Sequence, residues 1–445
     1  MKNKNIKNLL NTVTSKNSSF TSFIPYIDNN GNKLQEEDIL FTDEENYYKL
    51  KEQGSLDDVI FYTVSSPDIT AIYDDTRIFP EAVKTSDGKR FPIKVSKYTH
   101  ELLPKHAGSA ELLDIVLAGP PSSGKTITIL EYSDPFFHNM LASQTNLSIQ
   151  DDLPLTVNEY EVLAKTFFME HRIPAITREN VHIDPYIFYL SYTSDDSTNS
   201  EIHRLLLRLQ DVDGESTLKP EKLHKIAFHN NIIVMIGAND IINESYTTDK
   251  ETTDTNQKKP KRYKNFFDSI NNLITELYSR DDRSSCKLLF VITKADLLFN
   301  EEDLYLENSM KIDDDGKMTQ TIHAQGFDFK SFKERSDSLK IYLKKHNPNF
   351  YNTLRNNFTE NQVNFSLIAN IGCEPDEDGV FETLNPFAID EPLLYLLSKL
   401  NFYPTLTPDN SYTQEDIEGY FKNSQSTNIF DILLSLKKKL FKMIR

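Results

Sequence analysis

The stretch LLDIVLAGPPSSGKTITILEY, residues 112–132, decides the fold class of this chain. It opens with an apolar run that ends at Gly119, continues through a short loop of Gly, Pro and Ser, and closes with a segment compatible with a helix. Apolar strands with little polar interruption are typical of a parallel sheet that is covered on both faces. The stretch therefore predicts a buried strand, a tight loop and a helix in direct succession.

Further apolar runs of the same kind follow along the chain. Helical patterns, such as the one that begins at Ser336, separate several of the later runs. Alternating strands and helices predict an α/β fold, with a mostly parallel sheet and helices on both faces. The later apolar runs begin at Tyr186, Arg204, Asn231, Lys287 and Val363.

The loop GPPSSGKT, residues 119–126, fits the pattern G-x-x-x-x-G-K-[ST] of a phosphate-binding loop. Glycines at both ends let successive backbone N–H groups turn inward and form an anion-binding nest. Lys125 is predicted to reach the β- and γ-phosphates of a nucleotide, and Thr126 to offer its hydroxyl to Mg²⁺. The residues predicted to line the phosphates are Gly119, Pro120, Pro121, Ser122, Ser123, Gly124, Lys125 and Thr126.

Two later motifs fit the same kind of site. DVDG, residues 211–214, places Asp211 at the end of an apolar run, where an acid can hold Mg²⁺ through its water shell. Gly214 is three residues later, where its N–H can contact the γ-phosphate.

TKAD, residues 293–296, matches the [N/T]-K-x-D guanine signature. Asp296 can accept hydrogen bonds from two N–H groups of guanine that adenine does not present, while the stem of Lys294 lies along the base. Thr293 stands where Asn is commoner, and a hydroxyl cannot reproduce the two-sided bonding of an amide. In the last apolar run, Ala369 and Asn370 occupy the place of a loop whose backbone N–H contacts guanine O6.

GPPSSGKT, DVDG, TKAD and SLIANIG, in this order, resemble a GTPase of the translation-factor-related P-loop class, and are most similar to the predicted bacterial double-GTPase group. The resemblance covers residues 112–400, and it includes the closing segment NPFAIDEPLLYLLSKL from Asn385. It implies a P-loop NTPase fold, binding of GTP and GDP with Mg²⁺, and hydrolysis of GTP by a nucleotide-dependent switch.

The resemblance also implies the roles of particular residues. Thr177 is the candidate switch threonine for Mg²⁺ and the γ-phosphate. It lies in a long insertion before the apolar run at Tyr186, and Thr156 and Thr166 lie in the same insertion. Glu215 follows Gly214, where small GTPases have a Gln that orients the attacking water. The implied catalytic residues are Lys125, Thr177, Gly214 and Glu215, and the implied metal ligands are Thr126, Asp211 and Thr177.

Composition sets the remaining expectations. Lys plus Arg number 49 and Asp plus Glu number 67, so the net charge of −18 argues against general nucleic-acid binding. Two cysteines in 445 residues fit a reducing, cytoplasmic setting. The predicted organisation is a flexible tail (residues 1–20), a small β-rich domain (21–108), the GTPase-like domain (109–402), and a linker with a basic C-terminal helix (403–445).

The last segment, NIFDILLSLKKKLFKMIR at residues 428–445, spaces its apolar residues as a helix does and carries five positive charges. Such a helix can make weak contact with a membrane surface, dock a protein partner, or pack on the body of its own chain. The Thr at 293 and the Glu at 215 keep two alternatives to a GTPase open: a scaffold that binds nucleotide without hydrolysing it, and a P-loop ATPase.

Overall fold

The computed structural model describes residues 23–53, 60–72, 81–152, 158–174, 185–193, 202–212, 231–241, 273, 287–298, 304, 311–312, 318–319, 326–358 and 363–406. The chain divides into two compact units. One comprises Met1–Leu113, Leu147–Asn158 and Tyr186–Arg208, and the other comprises Asp114–Asn146, Glu159–Pro185 and Leu209–Arg445. No helix within the described ranges is long and apolar enough to span a bilayer.

The strands of the described residues, in chain order, are β1 (Tyr26–Ile27), β2 (Lys33–Leu34), β3 (Ile39–Thr42), β4 (Ile69–Ile72), β5 (Glu81–Lys84), β6 (Arg90–Phe91), β7 (Ile93–Ser96), β8 (Glu111–Ala118), β9 (Leu147–Asp151), β10 (Tyr186–Thr193), β11 (Ile202–Asp211), β12 (Asn231–Gly237), β13 (Lys287–Thr293), β14 (Lys311–Ile312), β15 (Met318–Thr319), β16 (Phe327–Asp328), β17 (Phe365–Leu367) and β18 (Thr405–Leu406). The α-helices are α1 (Glu44–Gln53), α2 (Lys125–Tyr132), α3 (Pro135–Thr145), α4 (Asn158–Ala164), α5 (Phe329–His346), α6 (Pro348–Asn357) and α7 (Asp390–Lys399).

A seven-stranded sheet has the strand order β17-β13-β12-β8-β11-β10-β9. Its β17, β13, β12 and β8 pair in parallel, whereas β10 and β9 pair antiparallel. The α/β prediction is therefore confirmed, and the sheet is mixed, because three of these pairs are parallel and one is antiparallel. The antiparallel pair involves β9, an edge strand that the apolar runs did not predict.

The parallel strands are apolar because the unit that contains them buries both faces of this part of the sheet. Every residue of β12 is buried, and Val234 lies in one core with Phe290 of β13 and Phe365 of β17. Helices α5 and α6 supply the outer part of this core through Leu343 and Phe350. In β12 and β13, polar residues therefore enter this layer only at the strand ends, as at Thr293 of β13.

Helices α5 and α6 both begin directly after a residue whose side chain can cap them. At the start of α5, Asp328 accepts a hydrogen bond from the N–H of Ser331. At the start of α6, Asn347 accepts one from Phe350, with Pro348 in the first turn. Such caps satisfy backbone donors that the helix itself leaves open. Helix α5 confirms the helical pattern predicted from Ser336.

The other unit contains short β-elements, as its turn-rich sequence predicts. Strands β1 and β2 form a hairpin, β3 pairs with β7, and β4, β5 and β6 form a small sheet. Asp28, in the turn after β1, accepts hydrogen bonds from two backbone N–H groups of its own turn and from the Ser96 hydroxyl, 3.0 Å away. Polar contacts therefore close this turn. The domain boundaries at residues 108 and 402 stay predictions.

Several predicted segments lie wholly or mostly outside the described residues. These are the tail 1–20 and the C-terminal segment 428–445, together with two further segments: the polar, charged stretch 247–262, whose sequence predicts a loop, and the stretch from Phe266, whose apolar spacing predicts a helix. The segment MKIDDDGKM, residues 310–318, is acidic, and its sequence predicts a hairpin turn. The antiparallel pairing of β14 with β15 confirms a hairpin here.

One buried ion pair joins α5 to α7. The guanidinium of Arg335 contacts the carboxylate of Glu391, and both side chains are almost completely buried. Ser366 of β17 donates a hydrogen bond of 2.7 Å to the same carboxylate. Burial lowers the pKa of Arg335 to about 10, so the guanidinium stays charged at neutral pH and needs its partner.

Replacing Glu391 with Ala should leave the Arg335 charge buried without its carboxylate. We expect the free energy of unfolding to fall by about 3–5 kcal/mol, measured by denaturant unfolding. The control is Lys330→Ala on α5, the helix of Arg335, which removes the partly exposed pair with Glu334. It should lower the free energy of unfolding by less than about 1 kcal/mol. Equal losses in the two variants would contradict the structural role of the buried pair.

Candidate functional site

Residues 119–124 form a loop between the end of β8 and the start of α2. Gly119, Ser122 and Gly124 have positive φ angles of 152°, 65° and 86°, which reverse the chain within a few residues. The first turn of α2 has no acidic residue, and no side chain caps it at Gly124. Its backbone N–H groups thus face the loop, and the helix dipole makes this end favourable for an anion.

The glycine at position 119 is required by a close approach of two backbones. A Cβ atom on Gly119 would lie 2.3 Å from the carbonyl oxygen of Met235 in β12. Any side chain there would push the loop away from the sheet. The second glycine, Gly124, is in the left-handed region, and a Cβ on it would lie 3.0 Å from Oδ1 of Asn370.

Lys125 turns its ammonium group back over the loop that precedes it. Its Nζ donates hydrogen bonds of 3.0 Å to the carbonyl oxygens of Gly119 and Pro120, and lies 3.4 Å from Oγ of Ser123. The side chain is buried, with only 6% of its surface exposed. The loop therefore has a fixed positive charge at its centre.

Thr126 and Asp211, 85 positions apart in sequence, meet at the same end of the sheet. The hydroxyl of Thr126 donates a hydrogen bond of 2.5 Å to Oδ2 of Asp211, the last residue of β11. A hydroxyl and a carboxylate are hard oxygen ligands, which is the kind that Mg²⁺ prefers. The sequence predicted both residues at a metal, and the structure brings them together.

The TKAD motif begins at the carboxyl end of β13. Thr293 is fully buried, and its hydroxyl donates to the carbonyl oxygen of Ile236 at 3.3 Å. Lys294 has a positive φ of 56°, which turns the chain into a short 3-10 helix (Ala295–Leu298) that contains Asp296. Burial raises the pKa of Asp296, and nearby Glu374 raises it further, whereas a backbone N–H and Lys294 act in the opposite direction.

The predicted loop after β17 behaves differently at its two residues. The Ala369 N–H donates 3.0 Å to the carbonyl of Phe387, so it already serves a backbone bridge. The Asn370 side chain instead contacts α2, through the hydroxyl of Thr128 and the carboxyl of Glu131. Sequence reasoning identified the position but not this use of the side chain.

A cavity of about 520 Å³ joins these groups, which is within the range of small-ligand pockets. It brings together many of the residues predicted from sequence, namely Pro121, Ser122, Ser123, Gly124, Lys125, Thr126, Asp211, Lys294, Asp296 and Asn370. The cavity is not lined by the other four predicted residues of the described ranges, Gly119, Pro120, Thr293 and Ala369. The predicted Thr177, Gly214 and Glu215 lie outside the described residues.

One wall of the cavity was not predicted from the sequence. Residues 371–379 form it, and they include Cys373 and Glu374. This segment is held by backbone pairing with residues 171–173, because Ile173 donates to the carbonyl of Gly379 at 2.8 Å. The His171 ring also stacks on Phe381. The turn-forming sequence EPDEDG, residues 374–379, is the one local pattern that could have indicated this wall. Residues 171–173, which pair with it, carry no pattern that predicts the contact.

Within the described part of the chain, no group of three or more His, Cys, Asp or Glu side chains is placed to hold a metal ion. A metal at this site would therefore rest on Thr126, Asp211 and ligand oxygens. That sparse protein ligand set is typical of Mg²⁺ bound with nucleotide phosphates.

No protein-family model and no curated protein matches the chain at a significant level. Among solved structures, the chain is similar to the GTPase-like domain of S. cerevisiae Ski7 bound to GTP, with 14% identity and a TM-score of 0.27 over 65% of this chain and 50% of that one. The same domain bound to GDP and inorganic phosphate gives 13% identity, a TM-score of 0.27, and coverage of 68% and 52%.

A bacterial selenocysteine-specific elongation factor, EF-Sec, gives 12% identity and a TM-score of 0.22, with 58% of this chain and 26% of that one covered. All three TM-scores are below 0.5, so these likenesses carry no argument about fold or function. Both are argued from the chain's own residues.

Proposed function

We propose that this protein binds GTP with Mg²⁺, hydrolyses it to GDP and phosphate, and acts as a nucleotide-dependent switch. The observation that carries the proposal is that one cavity is lined by both a glycine-bounded anion loop with a buried lysine and, at another part, Asp296. A nucleoside triphosphate has an anionic chain at one end and a base at the other, and this pair of features suits both ends.

The phosphate end is assigned to the loop and α2. Backbone N–H groups from the loop and the first turn of α2 bind phosphate oxygens, and the Lys125 ammonium moves from the loop carbonyls onto the β- and γ-phosphates. An acidic protein with a net charge of −18 repels an anion at long range, so the site needs this local cation.

Mg²⁺ fits beside Thr126 and Asp211, whose oxygen atoms already lie 2.5 Å apart. When bound, the ion would offset the negative charge of the phosphates. Thr126 would ligate it directly, and Asp211 would hold its water shell. Thr177 is proposed as a further ligand from the switch segment.

The base end is assigned to Asp296 and the stem of Lys294. The Asp296 carboxylate accepts hydrogen bonds from N1–H and N2–H of guanine, and adenine would leave it unpaired. Because the carboxylate is half-buried, an unpaired state is costly, and the site should discriminate strongly between the two bases.

The switch and hydrolysis are assigned by resemblance to the double-GTPase group. Gly214 would contact the γ-phosphate through its N–H, and Glu215 would accept a proton from the attacking water. The bond that breaks joins the γ-phosphorus to its bridging oxygen, and Lys125 stabilises the charge that develops there. A carboxylate at 215 also opposes the phosphate charge, so intrinsic hydrolysis should be slow, or depend on a protein partner.

Glu215 and Thr293 each leave one alternative function open. The Glu is compatible with a scaffold that binds nucleotide without turnover, and the Thr with a P-loop ATPase. Single-turnover assays with GTP and ATP separate all three functions. Cytoplasmic location and weak membrane contact through residues 428–445 belong to the same proposal.

Lys125→Ala should abolish binding of Mg²⁺–GTP, because it removes the cation that faces the β- and γ-phosphates. We expect at least about a hundredfold loss of affinity in calorimetry, as for a buried charged contact. Lys340→Ala, which removes a buried lysine of α5 outside the cavity, is the matched control and should bind normally. Wild-type affinity in Lys125→Ala would disprove the phosphate assignment.

Asp296→Asn should weaken GTP binding and shift preference toward xanthosine triphosphate. The change places an N–H donor opposite N2–H of guanine, whereas the C2 oxygen of xanthine can accept that bond. The loss for GTP should be about ten- to a hundredfold, measured by competition with a fluorescent nucleotide. If wild-type protein binds ATP and GTP equally, the guanine assignment is wrong and the ATPase alternative is preferred.

A further inference from the structure

The Asn370 side chain links the loop after β17 to α2. The residue is buried, and its Nδ2 donates to Oγ1 of Thr128 at 2.9 Å and to Oε2 of Glu131 at 2.5 Å. An asparagine amide nitrogen has two hydrogens, so both donors are used on one helix. The contact joins elements that are more than 230 residues apart in sequence.

The opposite side of the same amide faces the phosphate loop. A Cβ atom on Gly124 would lie 3.0 Å from Oδ1 of Asn370, so the carbonyl oxygen is close against the backbone of that glycine. Thr128, which accepts from Asn370, donates 3.0 Å to the carbonyl of Gly124. The amide therefore reaches Gly124 both directly and through Thr128.

Thr293 approaches the same glycine with a different group. Its hydroxyl donates to the carbonyl of Ile236, and its methyl Cγ2 would lie 3.6 Å from a Cβ on Gly124. The TKAD segment thus packs an apolar group against the phosphate loop at this point. An amide here would have offered polar contacts on two sides, and Asn370 provides them from the neighbouring strand.

Glu131 orients the Asn370 amide from inside the protein. Its carboxyl is buried, and burial raises its pKa well above the ordinary value, whereas the hydrogen bond from Asn370 acts in the opposite direction. Among the described residues, its other oxygen, Oε1, has no hydrogen-bond partner. The contact with Asn370 is thus the one that the structure gives this side chain, and it fixes which way the amide points.

We propose that Asn370 is a positioning residue of the nucleotide site, which holds the phosphate loop in register with the base-binding loops in place of the missing amide at position 293. This inference rests on the proposed function. One rigid ligand contacts both ends of the cavity, so a change in register should weaken the guanine contacts as well as overall affinity.

The test compares Asn370→Ala with Asn364→Ala. Asn364 precedes β17, is also buried, and donates 2.9 Å to the hydroxyl of Tyr395, which does not line the cavity. Both variants lose a buried amide, but only Asn370→Ala loses the link to α2. Calorimetry with Mg²⁺ and guanosine or inosine diphosphate gives the two affinities, and thermal unfolding without nucleotide checks the fold.

Asn370→Ala should bind guanosine diphosphate about tenfold more weakly, and its preference over inosine diphosphate, which lacks the N2 amino group, should fall. Asn364→Ala should be less stable than wild type, with both affinities unchanged. If Asn370→Ala does not fold, Glu131→Ala should reproduce the loss of preference, and Glu131→Gln, which keeps an acceptor for Asn370, should retain it.

An unchanged guanosine-to-inosine preference in Asn370→Ala, or in Glu131→Ala where the first variant is unfolded, would overturn the positioning role while leaving the proposed function intact. Failure of the wild-type protein to bind guanosine diphosphate would overturn the proposed function, and this inference with it.

Discussion

The close approach of Gly119 to the Met235 carbonyl is the constraint on which the rest of the site depends. It leaves no room for a side chain, so the loop after β8 stays against the end of β12. From that position the loop leads directly into α2, where the ammonium group of Lys125 donates hydrogen bonds to the carbonyl oxygens of Gly119 and Pro120 in the loop. The parallel pairing of β12 with β8 and β13 then brings Asp296, which follows β13, to the same edge of the sheet, because parallel strands end together. Asp211, at the end of β11, is joined to this edge by the hydrogen bond from the Thr126 hydroxyl.

Electrostatics explains how the site can hold an anion although carboxyl groups outnumber lysines in the lining of the cavity. The chain is strongly acidic, and carboxyl groups such as Glu374 line the cavity near Asp296. Under these conditions an anionic ligand is held by groups that add no negative charge to the site, namely backbone N–H donors, the α2 dipole and Lys125. Burial strengthens the contacts of Lys125 in particular, since a charge acts more strongly where little water reaches it.

The sequence was sufficient for features that depend on neighbouring residues. The run before Gly119, the loop itself and the position of TKAD after β13 are local patterns with a direct physical meaning. Features that depend on distant pairing were missed: β9 has an ordinary polar sequence, and the wall at residues 371–379 is held by residues 171–173. The Ala369 N–H is occupied by Phe387, which no local pattern indicates. Thr177, Gly214 and Glu215 keep their predicted roles as proposals.

The account's central claim is that a guanine nucleotide occupies this cavity, and Cys373 in its wall reports on that directly. With Cys286 replaced by Ser, Cys373 is the remaining thiol of the chain, and its rate of alkylation can be followed by mass spectrometry. Mg²⁺–GTP should slow the alkylation, because the ligand covers the wall, whereas the same concentration of Mg²⁺–ATP should not. An alkylation rate that is unchanged at saturating GTP would contradict the account.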